Sequence, residues 1–404
     1  MKNAKYKICI LGGGFGGLYT ALYLSRFARK SKNLEITLVE QKDHFLFTPL
    51  LYELVTGELK RWQIAPSYQK ILANTNIRFC QGKIEDIDLE NRQLKLKNAR
   101  ELAYDYLVLA LGGKNRPCPI PGASEYALTF RSIADVESLE EKLRIMELSE
   151  RQHLQLGVIG GGPNGVELAC KLADRLGKRG QVHLIEKGRE ILKNFSPSVR
   201  SAAYRALKVR GVKINFETNI KEIQADKMTL VHDNQLTKVP VDLVLWTAGT
   251  QSLEWMIKIA RCNSQGKLLT RPTLQLVDYP EVFALGDAAD IRNSNKPVPA
   301  TAQAAFQQAS FAARNIMGII RGKRLQQFRY FHLGDMLTLG KGSAIVSSFF
   351  LNIEGNLGEI IRRLAYIQRM PTFRHRLQVF KHLFIRFFVK KRRFGKLQRL
   401  GIGE

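Results

Sequence analysis

Residues 7–17 read Lys7-Ile8-Cys9-Ile10-Leu11-Gly12-Gly13-Gly14-Phe15-Gly16-Gly17, and this stretch decides the fold. A short apolar run ends on three glycines, and an Ala/Leu-rich segment with helical spacing follows it to Phe27. A second apolar run, Leu34 to Val39, then closes on Glu40, about twenty residues past Gly17. Strand, Gly-rich turn, helix, strand and acid in that order form a dinucleotide-binding unit. Gly12 permits the tight turn, Gly14 lets a pyrophosphate approach the backbone, and Gly17 lets helix and strand close together. The helix amino end offers unpaired N–H groups to phosphates, and Glu40 can accept from a ribose hydroxyl.

The pattern returns further along the chain. Leu156-Gly157-Val158-Ile159 leads into Gly160-Gly161-Gly162-Pro163-Asn164-Gly165, a helical segment runs on through Ala173, and Val182-His183-Leu184-Ile185 closes on Glu186. One such motif alone is weak, since Gly-rich loops arise by accident. Two copies, each with strand, helix and acid in place, predict two dinucleotide sites at Gly12, Gly14, Gly17 and Glu40, and at Gly160, Gly162, Gly165 and Glu186. Two sites in one chain fit a bound flavin and a diffusible nicotinamide, because a reduced nicotinamide needs an acceptor held against it. A third segment, Pro280 to Asp287, reads as a buried strand ending in Gly286-Asp287, where glycine admits a ligand and the carboxylate can accept from a polyol hydroxyl.

Working outward, 404 residues with 45% apolar and 25% charged composition suit an ordinary globular chain with two or three cores. No run of 18 apolar residues occurs, so helical membrane spans are not expected. The apolar strand follows the first residues directly and leaves no room for a cleavable leader, which predicts a cytoplasmic start. The five cysteines, at 9, 80, 118, 170 and 262, form no C-x-x-C and read as reduced structural thiols. The dispersed histidines offer no metal-ligand spacing, and no metal is expected.

The formal charge is +27, and residues 361–404 carry thirteen Lys or Arg against one acid, Glu404. Leu357, Ile360, Ile361, Leu364 and Ile367 recur at helical steps with Arg362 and Arg363 turned away. Phe373, Leu377, Phe380, Phe384 and Phe388 make a second stripe bordered by Arg386 and Lys390 to Arg393. Bulky rings on one face with cations beside them suit a helix lying in an anionic membrane surface, and residues 356–400 are assigned that partner. The blander reading is packing on the body with solvated bases. Nucleic acid is not expected, since no RNA-stacking sheet motif accompanies the charge.

The Gly12–Gly17 turn, the Leu243–Gly249 strand and Val282–Asp287 together resemble the glutathione-reductase-type flavoproteins of the pyridine nucleotide-disulfide oxidoreductase superfamily, over about residues 5–330. The resemblance implies an α/β fold with two Rossmann-type domains: an FAD domain over 1–118 and 270–330, an NAD(P)H domain over 119–269, and a helical membrane-associating segment over 331–404. It places Gly249, Gly286 and Asp287 at the FAD site, with Asp287 near the ribityl-phosphate region. Ala110-Leu111-Gly112-Gly113 departs from the commoner Ala-Thr-Gly there. Disulfide reductases of the superfamily need a close cysteine pair, which this chain lacks, so electrons are expected to leave the flavin directly for an external acceptor.

Pro299 to Gln308, with Ala302, Gln303 and Gln307, resembles the Ala-Gln-x-Ala-x-Gln-Gln signature of type II NAD(P)H:quinone oxidoreductases, and Asp43–Gly57 resembles that family's flavin-proximal segment. Gln303 and Gln307 stand one turn apart, where neutral amides can bond quinone carbonyls; read blandly, they are ordinary helix formers. The resemblance makes Glu167 the acidic neighbour of nicotinamide and flavin, and Gln303 part of both the cofactor and the catalytic set. Phe331–Gly340, Arg369–Thr372 and His375 resemble the cyanobacterial and plastid branch, which includes demethylphylloquinone reductase and acts on prenylated naphthoquinones and benzoquinones.

The expected activity is therefore two-electron transfer from NADH or NADPH through FAD to a lipid quinone, without proton pumping, by a peripheral enzyme on the cytoplasmic side of a thylakoid or plasma membrane. Glu186 favours NADH by repelling a 2′-phosphate, while Lys187 and Arg189 could accommodate NADPH. The resemblance allows a homodimer. Two other classes share the fingerprints. A soluble reductase with a protein acceptor would survive removal of 356–404, and a redox-sensing flavoprotein would bleach with NADH without turning over quinone.

Overall fold

A computed structural model describes residues 5–28, 33–97, 99–115, 119–149, 153–251, 253–293, 296–348 and 351–385. Cys118, Phe349, Phe350, Phe388 and the basic run from Arg386 onward lie outside the described residues. The first glycine motif sits between β1 (Tyr6–Leu11) and α1 (Phe15–Ala28), and α1 returns to β2 (Leu34–Glu40). β3 (Ile77–Gln81) and β4 (Tyr106–Leu109) flank this pair. Ile8, Ile10, Leu11, Leu38, Val39 and Leu107 to Leu109 are all buried, as expected where helices and loops cover both faces of a parallel sheet.

The second motif repeats the arrangement. β5 (Ala127–Thr129), β6 (Leu154–Ile159), β7 (Gly180–Ile185), β8 (Lys213–Asn215) and β9 (Leu243–Trp246) form a parallel sheet in the order β8-β7-β6-β9-β5. Helix α2 (Pro163–Leu176) opens directly after Gly162, with proline at its first position, where a missing N–H costs nothing. β10 (Val282–Ala284) then goes back to the first sheet and pairs with β4, which completes the order β3-β2-β1-β4-β10. In both sheets the acid-bearing strand lies beside the glycine-bearing strand, and the two sets of loops open at the same carboxyl edge.

Two short strands carry the chain between the sheets. Lys114–Asn115 runs antiparallel to Thr250–Gln251, so the outward and return crossings lie side by side. Past β10, α3 (Ala302–Ile320) lies along α1, with Tyr19 and Phe306 edge to face at 4.7 Å. The carboxyl segment opens with an antiparallel sheet, β11 (Asp335–Thr338), β12 (Ala344–Ser348) and β13 (Leu351–Glu354), ahead of any helix. Its apolar alternation is short and was hidden by the stronger helical pattern that follows. Helix α4 (Gly355–Gln368) then packs on β12 so closely that a Cβ at Gly358 would stand 2.6 Å from the Ala344 carbonyl oxygen. A last helix, α5 (residues 373–385), docks on Trp62 through the edges of His375 and His382.

Candidate functional site

Each fingerprint contains two kinds of glycine. A Cβ at Gly12 would stand 2.3 Å from the Ala110 carbonyl oxygen, and one at Gly17 would stand 1.8 Å from that of Gly12. Gly165 stands in the same relation to Gly160, again at 1.8 Å. Gly12 and Gly160 also hold φ of +95° and +106°, which a side chain would strain. Those four are demanded by the chain itself. At Gly14 and Gly162, by contrast, a Cβ would meet nothing within 4 Å. The open space lies at the amino ends of α1 and α2, where backbone N–H groups point outward, and it suits the pyrophosphate of a dinucleotide.

The two acids behave alike as well. Glu40 Oε2 accepts from the Gly13 N–H at 2.7 Å, and Glu186 Oε2 accepts from the Gly161 N–H at 2.6 Å. Each carboxylate is thereby turned toward its own glycine loop, and its second oxygen takes the N–H of Lys42 or Gly188. Of the two basic residues that follow Glu186, Arg189 is engaged by Glu217 at 2.7 Å.

Where the carboxyl edges of the sheets meet, Gly286 has φ +67° and donates its N–H to the buried Gln308 amide oxygen at 2.8 Å. Asp287 follows and pairs with Arg131 at 3.2 Å. The other terminal nitrogen of Arg131 is buried and has no partner among the described residues, so one donor remains beside Asp287. Gly113 lies against the Gln251 carbonyl and the Asp287 side chain, and Gly249, with φ +81°, leads into that same crossing. Arg131 escaped the sequence reading because it precedes an ordinary helix and carries no motif.

Glu167 is buried in the second turn of α2, with Oε1 accepting from the Thr338 N–H at 2.9 Å. Burial pushes its carboxyl up to about 8. Around it lies a cluster of charges that the sequence does not announce. Lys171 is fully buried and donates to Glu58, which also accepts from Arg363 at 2.7 Å, from the Gly342 N–H at 3.1 Å and from the Thr56 hydroxyl at 2.6 Å. Arg362, fully buried, donates to Glu53 and, at 3.0 Å, to Glu359, while Arg363 donates to Glu359. Segment 52–58, α2 and α4 meet in this cluster.

Gln303 and Gln307 share one face of α3, as their spacing predicts, but their amides are engaged. Gln307 exchanges both of its bonds with the Phe331 backbone, at 2.7 and 3.0 Å. Gln303 accepts from the Leu333 N–H and the Tyr330 hydroxyl and donates to the Gly334 carbonyl. One hydrogen of each NH₂ thus holds segment 330–334, which leaves each amide a second N–H. Ala302 opens α3, capped by the Thr301 hydroxyl. The segment that receives Gln307 and Gln303 goes on to receive Glu167 at Thr338, so residues 331–338 bond all three predicted catalytic residues.

On the outer side of this region α4 is inverted. Leu357, Ile360 and Leu364 are 48–59% exposed, whereas Arg362 is fully enclosed. Ile367, expected in the apolar stripe, is buried instead against the body. Phe373, Leu377, Phe380 and Phe384 of α5 extend the open apolar face. Among the described residues no helix is long and apolar enough to cross a membrane. Cys9, Cys80 and Cys170 are buried and Cys262 is half-buried, all four as free thiols.

Residues 6–309 match the pyridine nucleotide-disulphide oxidoreductase family. The chain belongs to that family. Among curated relatives of this oxidoreductase, demethylphylloquinone reductase NdbB of Synechocystis sp. is 42% identical over 386 residues, covering 94% of this chain and 96% of the relative. The alternative NAD(P)H-ubiquinone oxidoreductase C1 of Arabidopsis thaliana, chloroplastic/mitochondrial, is 35% identical and covers 93% and 80%. Among solved structures, NDH2 from Plasmodium falciparum in complex with NADH superposes with a TM-score of 0.85 at 20% identity, covering 96% of this oxidoreductase and 98% of that chain. The fold thus extends through the carboxyl sheet and α4, beyond the segment that the family match spans.

Proposed function

We propose that this oxidoreductase passes two electrons from NAD(P)H through FAD to a lipid quinone of the naphthoquinone or plastoquinone type, as a peripheral membrane enzyme that pumps no protons. The observation that carries the reading is that α4 meets the charges around Glu167 with its Arg362 side and turns Leu357, Ile360 and Leu364 outward, where Phe373, Leu377, Phe380 and Phe384 of α5 are likewise exposed. A long-chain quinone can rest its tail on that face while its head reaches inward. The two relatives above, named for quinone reduction, support the same acceptor. A reductase with a protein acceptor would have no use for this apolar face.

FAD, when bound, supplies the carrier that takes two electrons from the nicotinamide and passes them to the quinone. The Gly12–Gly17 loop, Glu40 and the Asp287–Arg131 pair would hold it; the Gly160–Gly165 loop and Glu186 would hold NAD(P)H. Positioning of the rings provides most of the catalysis. Glu167, protonated near neutral pH, gives a proton to the quinone oxygen, and the remaining N–H of Gln303 or Gln307 bonds a quinone carbonyl. Glu186 accepts from the adenosine ribose and selects NADH over NADPH. FAD domain 1–118 with 270–330, NAD(P)H domain 119–269 and membrane segment 331–404 are the working division, and residues 356–400 bind an anionic surface of a thylakoid or plasma membrane from its cytoplasmic side.

The test is purification followed by an absorbance spectrum, anaerobic titration with NADH and with NADPH, and reoxidation by a panel of naphthoquinones and benzoquinones. A yellow protein bleached by nucleotide and restored by quinone is expected. A colourless polypeptide that cannot be reconstituted with FAD, or one whose reduced form ignores every quinone, sinks the proposal. Sedimentation of the same FAD-loaded sample reads the homodimer.

A further inference from the structure

The charges around Glu167 do not balance. Among the described residues four carboxyls, Glu53, Glu58, Glu167 and Glu359, share the cluster with three cations, Lys171, Arg362 and Arg363. All are buried except Arg363, whose side chain is 22% exposed. Neighbouring charges on α2 are matched separately, Asp174 by Arg210 at 2.8 Å and Arg175 by Glu147 at 3.1 Å. The other titratable groups facing Glu167, Tyr52, Tyr366 and Cys170, are kept neutral by burial, which raises all three. Taking a lone charge out of water is costly, so the cluster reaches neutrality by leaving one carboxyl protonated.

Burial raises Glu359 as well as Glu167, but the ion pairs distinguish the four carboxyls. Glu53 and Glu359 meet Arg362, Glu359 and Glu58 meet Arg363, and Glu58 meets Lys171, while among the described residues Glu167 pairs with no cation and accepts from a neutral backbone N–H. Lys171 stands one turn after Glu167 on the same helix, within reach of it, yet its ammonium is turned to Glu58. We propose that Lys171 is a positioning residue for quinone reduction: by committing its charge to Glu58, it leaves Glu167 as the member of the cluster that holds the transferable proton.

This inference rests on the reading of Glu167 as proton donor. In that step the Glu167 O–H bond breaks as a quinol O–H bond forms, the electrons come from NAD(P)H through FAD, and the carboxylate regains a proton from water. Overall, NAD(P)H, one proton and quinone become NAD(P)⁺ and quinol.

Counting charges gives signed outcomes for the alkaline limb of kcat. Lys171→Met leaves four acids to two cations and should move the limb up by about one pH unit. Glu58→Gln leaves three to three, frees Lys171 to turn to Glu167, and should move it down by about as much. The double variant, with three to two, restores an excess of one and should bring the limb back near its starting place. FAD content and a melting curve verify folding in each case. Should Lys171→Met fail to hold FAD, Glu58→Gln is read alone, with the infrared band of the protonated carboxyl at neutral pH, absent in Glu167→Gln, titrating away at lower pH. Shifts of the same sign in both single variants, or no shift in either, overturn the proposal while leaving Glu167 as donor. A limb that survives Glu167→Gln removes the donor reading itself.

Discussion

A glycine can be demanded by its own chain or by what the chain binds, and the fingerprints hold both kinds. Gly162→Ala should leave folding and FAD content intact and raise the KM for NADH by about tenfold, because the added methyl enters space that only a ligand would use. Gly165→Ala should abolish soluble expression, since its Cβ would collide with the Gly160 carbonyl oxygen at 1.8 Å. Steady-state kinetics for the first and a solubility assay for the second separate the two roles. Glu186→Gln should increase the use of NADPH relative to NADH when both are measured side by side, and an unchanged ratio would show that the acid does not read the ribose. At this scale the sequence exposed the glycines and the acids, because their function is local and follows a fixed spacing. It did not expose Arg131, Glu58 or Lys171. Their meaning depends on partners more than a hundred residues away, and a lysine in a helix looks the same whether it faces water or Glu58.

Among the elements, α4 shows what periodicity can and cannot tell. The spacing of Leu357, Ile360 and Leu364 fixed an apolar stripe opposite Arg362, but it left open which side meets the body. The body side turned out to be the charged one, because Glu53 and Glu58 supply partners that no leucine could use. Replacing Leu357, Ile360 and Leu364 with serine should therefore leave the melting temperature nearly unchanged and weaken binding to anionic vesicles at least tenfold, as measured by co-sedimentation. Arg362→Met should do the reverse. It leaves Glu53 and Glu359 enclosed without their cation and should cost about 3–5 kcal/mol in denaturant unfolding of the FAD-loaded protein. The short strands β11 to β13 were missed beside this helical signal.

Over the whole molecule, Glu167 also links stability to pH. Its ordinary value is 4.5 and burial raises it to about 8, so between those values the folded state holds a proton that the unfolded chain has released. Stability from this group is complete below about pH 4.5 and is lost as pH rises to about 8, a change on the order of a few kcal/mol. Thermal unfolding of Glu167→Gln should give a flatter curve of melting temperature against pH across that window, and a curve parallel to the parent's would show that the carboxyl is not held protonated. The paired fingerprints made both central sheets legible, since each motif carries two of its strands; the edge strands β3, β5 and β8 are too short to announce themselves.

The return of β10 to the first sheet sets an order of events during synthesis. Once residue 246 has left the ribosome every strand of the second sheet exists, but the first still waits for residues 282–284 with the flank of β4 uncovered. The half that begins the chain is thus the later one to close, and an uncovered strand flank invites wrong pairing. A nascent polypeptide halted between those points would present a finished second half beside a vulnerable first, which is when a chaperone would matter most.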